Sequence, residues 1–147
     1  MTVAVVTGGA GFIGSHLVNA LLAENIEVRV IDNDSTGRPD NLTHILGKVD
    51  LVEADIALSG SWRKSIKDAE WVFHLAPLAD ILPSIQRPDD YFQANVIGTF
   101  NVLEAAKHVN VKRIVYVASS SCHGIPDSYP TSEFAEIRPQ YPYALTK

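Results

Sequence analysis

Five short apolar runs, rich in β-branched residues and separated by helical stretches, constrain the fold of this 147-residue chain most strongly. These runs are Val3–Thr7, Glu27–Ile31, Val49–Glu53, Trp71–Leu75 and Arg113–Ala118. Their hydrophobicity is continuous rather than alternating, which is typical of parallel strands covered on both faces. The regular alternation of strand and helix therefore predicts an α/β fold, a doubly wound parallel sheet with helices on both faces.

Three stretches between these runs predict helices. They are Phe12–Glu24, with Ile13, Leu17 and Leu21 on its apolar face, a weak helix at Ser61–Lys67, and a long helix at Asp89–His108. Gly98 lies inside the long helix and predicts close packing there. The segment Ser119–Pro142 contains four prolines, so we expect a loop.

Charge and cysteine content exclude several classes of protein. The formal net charge is -5, with acids and bases interspersed, which offers no electrostatic footprint for nucleic acid or an anionic membrane. Cys122 is the only cysteine and the histidines lack metal-ligand spacing, so we expect no disulfide, no metal and a cytoplasmic location. The apolar start Thr2–Thr7 lacks a basic region and predicts a strand rather than a signal peptide.

A glycine-rich turn at residues 7–14 directly follows the first strand and opens the first helix. Its glycines would permit a tight turn, close approach of backbone to a pyrophosphate and tight packing of helix on strand, while the free N–H groups of the helix start bind phosphate. An ordinary glycine-rich turn is the alternative, but the flanking elements favour dinucleotide binding. The contacts predicted from this turn are Gly8, Gly11, Phe12, Ile13 and Gly14.

Acidic residues follow the second and third strands. Asp32 can accept hydrogen bonds from ribose hydroxyls and would repel a 2′-phosphate, which predicts NAD rather than NADP as the cofactor. Arg38, in the same loop, is either a phosphate partner or an ordinary solvated arginine. Asp55 and Ile56 could bracket the adenine, although Asp55 could equally cap a turn.

A second constellation combines Ser119, after the fifth strand, with Tyr143 and Lys147, which lie four residues apart on one helix face. A phenol acts as a general base near neutrality only when cationic neighbours stabilise its phenolate, and Lys147 and a nicotinamide ring would do so. Ser119 would hydrogen-bond the substrate oxygen that loses its proton. Each pattern alone is common by chance, but their order after a dinucleotide fingerprint favours catalysis.

Six segments spread over essentially the whole chain resemble the extended short-chain dehydrogenase/reductase family. They are TGGAGFIG (7–14), IDNDSTG (31–37), VFHLA (72–76), NVIGTFNVLEA (95–105), VYVASSSCHG (115–124) and YALTK (143–147). Within the NAD-dependent epimerase/dehydratase group of that family, the chain looks most like UDP-hexose 4-epimerases. The resemblance implies that residues 1–147 form a Rossmann-type dinucleotide-binding domain, truncated before its last strands and before a small substrate domain.

The resemblance also implies roles for individual residues. Ser119 would be the catalytic serine, Tyr143 the base and Lys147 the lysine that holds the ribose. Asn95 would be an asparagine that supports the site. Further cofactor contacts would be Asn33, Ser35, Thr36, Gly37, Leu75, Ala76 and Asn95, together with Tyr143 and Lys147. The substrate contacts would be Ser84, Ser119, Ser120 and Tyr143.

Two residues depart from the family pattern. Pro77 stands where a second small residue usually follows His-Leu-Ala, and His123 replaces the usual tyrosine before Gly124. Either change could tune the choice of sugar. For His123, a simple packing variant is the alternative.

The residues after Ser119 bear on the reaction type. Relatives that eliminate water have Asp and Glu there, and decarboxylating relatives commonly have a Glu, whereas this chain has Ser120 and Ser121. The resemblance therefore implies epimerisation of a UDP-hexose through a transient 4-keto sugar, within carbohydrate metabolism and polysaccharide biosynthesis. A dehydratase, decarboxylase or keto-reductase, or a non-catalytic dinucleotide-binding fragment, remains an alternative. A homodimer packed through the helices near Asp89 and Tyr143 is also implied for the complete protein.

Overall fold

Five parallel strands form the centre of the computed structural model, which describes residues 2–147. The strands are β1 (Val3–Thr7), β2 (Glu27–Asp32), β3 (Val49–Glu53), β4 (Trp71–His74) and β5 (Arg113–Tyr116). Their order in the sheet is β3-β2-β1-β4-β5, and every neighbouring pair is parallel. The strand order reverses between β1 and β4, and in such sheets ligands bind at the carboxyl ends of the strands beside this point. The predicted fold class is confirmed.

Apolar clusters cover both faces of the sheet. All five residues of β1 are buried. Along this strand Val5 joins one cluster, with Val72 and Val102, while Val6 joins the other, with Val18. Because successive side chains of a strand point to opposite faces, a strand buried on both sides must be apolar at every position. This explains the continuous hydrophobicity of the sequence.

The helical elements agree with the predictions in position and differ in detail. They are α1 (Phe12–Ala23), α2 (Ile81–Gln86), α3 (Pro88–Tyr91), a π-helical segment (Phe92–Ile97), α4 (Gly98–His108) and α5 (Pro142–Leu145), with 3₁₀ turns at Pro39–Ile45, Ser61–Ile66 and Ser120–His123. The predicted long helix is thus a continuous helical run from α3 to α4 with a π-helical segment inside it. The predicted weak helix is a 3₁₀ turn. None of the helices between residues 2 and 147 has the length and apolar character to span a bilayer.

The prediction of the buried face of α1 is partly wrong. Gly14, Ser15, Val18 and Leu21 are buried, whereas Ile13 is 62% exposed. The small residues at positions 14 and 15 allow the start of the helix to lie close to β1, so the helix turns this face inward and Ile13 outward. The packing predicted for Gly98 is confirmed, since a Cβ there would lie 3.1 Å from Cγ1 of Ile56.

Candidate active site

The glycine turn after β1 leaves no room for side chains at two positions. Gly8 has a φ of +74°, and a Cβ on it would lie 2.4 Å from the carbonyl oxygen of Leu75. A Cβ on Gly14 would lie 2.1 Å from the carbonyl oxygen of Gly8. Both distances are far below van der Waals contact, so only glycine fits either position. The result is a bare stretch of backbone at the carboxyl end of β1.

The amino end of α1 presents free N–H groups beside this turn. Gly11 precedes the helix, and no side chain in the described part of the protein caps it. The N–H groups of Phe12, Ile13 and Gly14 belong to the first helical turn, which has no carbonyl partners within the helix. Together with the positive end of the helix dipole they form an arrangement that binds phosphate.

Asp32 braces the glycine turn from the end of β2. Its Oδ2 accepts a hydrogen bond from the backbone N–H of Ala10 at 2.9 Å, and its Oδ1 accepts one from the backbone N–H of Asp34 at 2.9 Å. Each carboxylate oxygen has two acceptor positions, so both retain capacity for a ribose hydroxyl. The sequence predicted only the contact with ribose. The contact with the glycine turn is a second role that no local pattern indicates.

A cleft lies along the carboxyl ends of β1, β2, β3 and β4. Eleven of the predicted cofactor contacts line it: Gly8, Gly11, Asp32, Asn33, Ser35, Thr36, Gly37, Asp55, Ile56, Leu75 and Ala76. Its remaining lining residues were not predicted, and they are Ile31, Ala54, Pro77, Leu78 and Ala94. The bare glycine turn at one end and the ribose acceptor beside it fit a dinucleotide. We call this cleft the dinucleotide cleft.

Two residues of the dinucleotide cleft region had alternative interpretations. Asp55 accepts a hydrogen bond from the N–H of Ala57 at 2.8 Å and also lines the cleft, so it caps a turn and faces the cleft at once. Arg38 is exposed, and its backbone N–H donates to the carbonyl of Ala10 at 3.0 Å. An exposed arginine beside the glycine turn fits either interpretation, so both stay predictions.

Asn95 connects the loop after β4 with the end of the chain that carries Tyr143. The Asn95 side chain is buried within the π-helical segment. Its Oδ1 accepts from the N–H of Leu78 at 2.8 Å, while its Nδ2 donates to Thr146 Oγ1 at 3.0 Å. A π-helical segment is rare, and such segments are frequent at functional sites. The contacts support the predicted role of Asn95 as a residue that holds the site together.

Tyr143 and Lys147 lie on and directly after α5, against β5 and the helical run. The ring of Tyr143 packs edge-on against that of Tyr91, with 6.3 Å between the centroids. The Lys147 ammonium lies 4.8 Å from the centre of the Tyr116 ring and donates to the carbonyl of Val117. Burial lowers the pKa of Lys147. This lysine is therefore held just past the carboxyl end of β5 by Val117, which lies two residues before the predicted catalytic serine, Ser119.

A second cleft, here called the tyrosine cleft, is lined by Tyr143, Ser121 and residues 79–83. Ser121 was not among the predicted contacts. Ser119 lies two residues earlier, and its Oγ accepts from the N–H of Ser121 at 3.2 Å, which leaves its hydroxyl proton free to donate. Ser120, also predicted to contact substrate, is exposed.

Ser84 was also predicted to contact the substrate. The structure buries its side chain completely, and its hydroxyl donates to the carbonyl of Ile81 at 2.6 Å within α2. It lies one residue beyond the part of α2 that lines the tyrosine cleft. Ser84 therefore supports the shape of this helix, and a direct contact with substrate stays a prediction.

The two departures from the family pattern have different surroundings. Pro77 lines the dinucleotide cleft. His123 lies near two carbonyl oxygens, with its Nδ1 3.1 Å from that of Ala135 and 3.4 Å from that of Glu136. Since both are acceptors, Nδ1 carries the proton, and His123 joins two parts of the loop before α5. This favours the packing interpretation for His123.

A buried histidine links the strands beneath the site. Nδ1 of His74, at the end of β4, lies 2.6 Å from Thr7 Oγ1, and its Nε2 lies 2.8 Å from Thr99 Oγ1. Its ring stacks on that of Tyr116 at 5.7 Å. Burial, with a smaller effect from the charge of Lys147, lowers the pKa of His74 from 6.5 to about 4. The folded protein therefore holds this imidazole in its neutral form.

We expect the buried neutral His74 to make stability dependent on pH. Its folded pKa of about 4 lies below its unfolded value of 6.5, so its contribution is present above pH 6.5 and is lost as the pH falls towards 4. The full loss is about 3 kcal/mol of unfolding free energy, at 1.36 per pKa unit. Denaturant unfolding of the complete protein at pH 7 and pH 4.5 measures it. A His74→Gln variant should lose less on acidification than the wild type, whereas the exposed His44→Gln should behave like the wild type; equal losses in all three would contradict the assignment.

Comparison with known proteins gives one consistent result. The model of the NAD dependent epimerase/dehydratase family matches residues 4–147. The UDP-glucose 4-epimerase of Mycolicibacterium smegmatis is 37% identical over 152 residues, which cover 97% of this chain and 47% of the relative.

Two solved structures superpose closely. The UDP-N-acetylglucosamine 4-epimerase from Methanobrevibacter ruminantium, in complex with UDP-N-acetylmuramic acid, has a TM-score of 0.92 at 35% identity and covers 99% of this chain and 46% of its own. The UDP-glucose 4-epimerase of Thermus thermophilus, in complex with NAD, has a TM-score of 0.89 at 34% identity. This match covers 99% of the present chain and 47% of the Thermus chain. The chain thus spans about half the length of the relatives it matches. With a family model that matches nearly every residue, the chain belongs to the NAD dependent epimerase/dehydratase family.

Proposed function

We propose that the complete protein is an NAD-dependent nucleotide-sugar epimerase that inverts C4 of a UDP-hexose. One observation carries the proposal. Residues 75–78, in the loop after β4, line the dinucleotide cleft, and residues 79–83, which end that loop and begin α2, line the tyrosine cleft, so the two clefts adjoin along one stretch of backbone. A sugar beside Tyr143 would therefore lie next to the end of a bound dinucleotide.

The chain's own residues would handle the proton. Tyr143 would take the proton of the C4 hydroxyl, and Lys147, held near the end of β5, would stabilise the phenolate by its charge. Ser119 would hold the same sugar oxygen through its free hydroxyl proton. NAD, when bound, supplies the group that accepts and returns the hydride at C4. Asn95 would hold the loop after β4 against the end of the chain through its hydrogen bonds to Leu78 and Thr146.

The residues that follow Ser119 favour epimerisation over elimination. Ser120 and Ser121 carry no carboxylates, so the region lacks the acid and base that a dehydratase of this family uses there. The 4-epimerase names of the compared relatives point the same way. The product, a UDP-hexose with inverted C4, would serve as a precursor for polysaccharide synthesis.

The test uses the complete protein with UDP-glucose and no added NAD. We expect UDP-galactose to form until equilibrium is reached, without net formation of NADH, as followed by chromatography of the nucleotide sugars and by absorbance. Steady release of NADH, loss of water from the sugar or loss of carbon dioxide from UDP-glucuronate would each indicate another reaction of the family. Retention of NAD without turnover of any nucleotide sugar would indicate a non-catalytic protein.

We also propose that the complete protein forms a homodimer through its long helical run. Phe92, Phe100 and Leu103 belong to this run and are 48%, 58% and 46% exposed. Large apolar side chains grouped on one helical element are typical of a protein interface. Sedimentation of the complete protein would show whether it is a dimer.

A further inference from the structure

Asp80 is the one acidic or basic residue among the described residues that line the tyrosine cleft, apart from the phenol of Tyr143. This residue lies between the loop after β4 and α2, and it lines the cleft together with Ser121 and Tyr143. The next two residues, Ile81 and Leu82, are apolar and also line the cleft. A charged group among apolar and hydroxyl side chains dominates the electrostatics of such a cleft.

Asp80 precedes α2 without capping it. Its φ is +83°, a conformation that aspartate and asparagine adopt more readily than other residues with a Cβ, so the backbone explains a short polar side chain at this position but not its charge. Aspartate is also a preferred residue before a helix because its side chain caps free N–H groups, yet Asp80 makes no such side-chain bond to α2. Neither the backbone conformation nor the helix start therefore requires the negative charge.

The charge of Asp80 is also uncompensated within residues 2–147. Its carboxylate is exposed and forms no ion pair in this part of the protein. Arg87, at the other end of α2, pairs instead with Asp90 at 3.2 Å. The carboxylate is thus available to a ligand in the tyrosine cleft, and it repels anions that enter.

We propose that Asp80 selects the substrate by charge, favouring nucleotide sugars with an uncharged hexose over those with a carboxylated one. The inference rests on the proposed function, because a sugar that loses a proton to Tyr143 must enter the cleft that Asp80 lines. The carboxylate accepts hydrogen bonds from hydroxyl or amide N–H groups of a neutral hexose. A hexuronate would bring a second carboxylate close to the first, and like charges placed together oppose binding.

The experiment compares UDP-glucose and UDP-glucuronate as probes of the complete protein. Asp80→Asn keeps the shape of the side chain and removes its charge. We expect the kcat/KM ratio of UDP-glucuronate to UDP-glucose to rise by roughly 10-fold, a change of about 1.4 kcal/mol. Asp50→Asn is the matched control, since it removes the same charge from an exposed position on β3 at the far edge of the sheet, and its ratio should stay at the wild-type value.

Binding measurements keep the inference separate from the proposed function. Calorimetry would give the Kd of each nucleotide sugar for the wild type, Asp80→Asn and Asp80→Gly. In both variants we expect the affinity for UDP-glucuronate to rise relative to that for UDP-glucose. Glycine is a suitable second variant because it adopts a positive φ without strain. An unchanged ratio in both variants would overturn the role of Asp80 even if the wild type is an epimerase. A shifted binding ratio in a protein that does not epimerise would support Asp80 and refute the proposed reaction. If the wild type binds neither nucleotide sugar, the role of Asp80 and the proposed function are both refuted.

Discussion

Replacement of Tyr143 by phenylalanine in the complete protein is expected to lower kcat for epimerisation by about 10²–10⁴-fold, the usual contribution of a general acid–base group. The change removes only the hydroxyl, and the ring that packs against Tyr91 is retained. Binding of NAD should therefore persist, because the dinucleotide cleft is built from other residues. Initial rates with UDP-glucose and the amount of NAD that co-purifies with the protein measure the two effects.

Tyr129→Phe provides the control for this experiment. Tyr129 is 78% exposed in the loop before α5, so loss of its hydroxyl should leave both rate and cofactor content unchanged. A Tyr143→Phe protein with more than half of the wild-type kcat would remove the phenol from the mechanism. Loss of NAD together with activity would instead give Tyr143 a role in holding the cofactor.

A methyl group at Gly14 should damage the glycine turn severely. In Gly14→Ala the new Cβ would meet the backbone oxygen of Gly8 at 2.1 Å, and neither atom belongs to a flexible side chain. The turn and α1 must move apart, which we expect to cost about 1–3 kcal/mol of unfolding free energy, as for other overpacked sites. The same movement would displace the N–H groups at the start of α1 and sharply weaken NAD binding.

Denaturant unfolding and NAD titration of the complete protein test the Gly14 prediction. Gly60→Ala is the control, since its Cβ would approach only the side chain of Trp62, at 3.2 Å, and neither residue lines the dinucleotide cleft. We expect this control to bind NAD normally. Wild-type NAD affinity in Gly14→Ala would show that the turn tolerates a side chain and that its close packing is not required.

Sequence patterns predicted the sheet well and the ends of its strands less well. The predicted β4 and β5 run on to Leu75 and Ala118, whereas the strands end at His74 and Tyr116. The run of β4 continues past the end of its strand because Leu75 lines the dinucleotide cleft. Hydrophobicity alone does not distinguish a side chain that packs in the core from one that lines a ligand cleft.

Helical periodicity had a similar limit. Ile13 fits the apolar face of α1 by spacing, yet it is exposed beside the start of that helix. The six-residue helix α2 was not predicted, since it contains Pro83 and is too short to show a period. Short elements of this kind are fixed by contacts with the rest of the fold, and α2 packs against α5.

The candidate site was predictable where one short motif contains the whole chemistry. The glycine turn and the Tyr143–Lys147 pair are local patterns, and most of the other predicted residues of the dinucleotide cleft followed from family resemblance, whereas Ile31, Ala54, Pro77, Leu78 and Ala94 were not predicted. The contact of Asp32 with Ala10 spans 22 residues, and that of Asn95 with Thr146 spans 51. No pattern in the chain links such partners, so only the folded structure shows how they brace the site.

The π-helical segment between α3 and α4 lets this stretch hold one residue more than an α-helix would, without changing the direction in which α3 faces. A π-helical turn holds about one residue more than an α-helical turn. If the same residues Phe92–Ile97 formed an ordinary α-helix, the extra residue would rotate α3 by about 100° around the helix axis, at 3.6 residues per turn. Tyr91 would then turn away from Tyr143 and from the carbonyl of Ala79 that its hydroxyl binds. A wider turn that weakens the helix locally is thus what aims an aromatic side chain at the tyrosine predicted to act as the base.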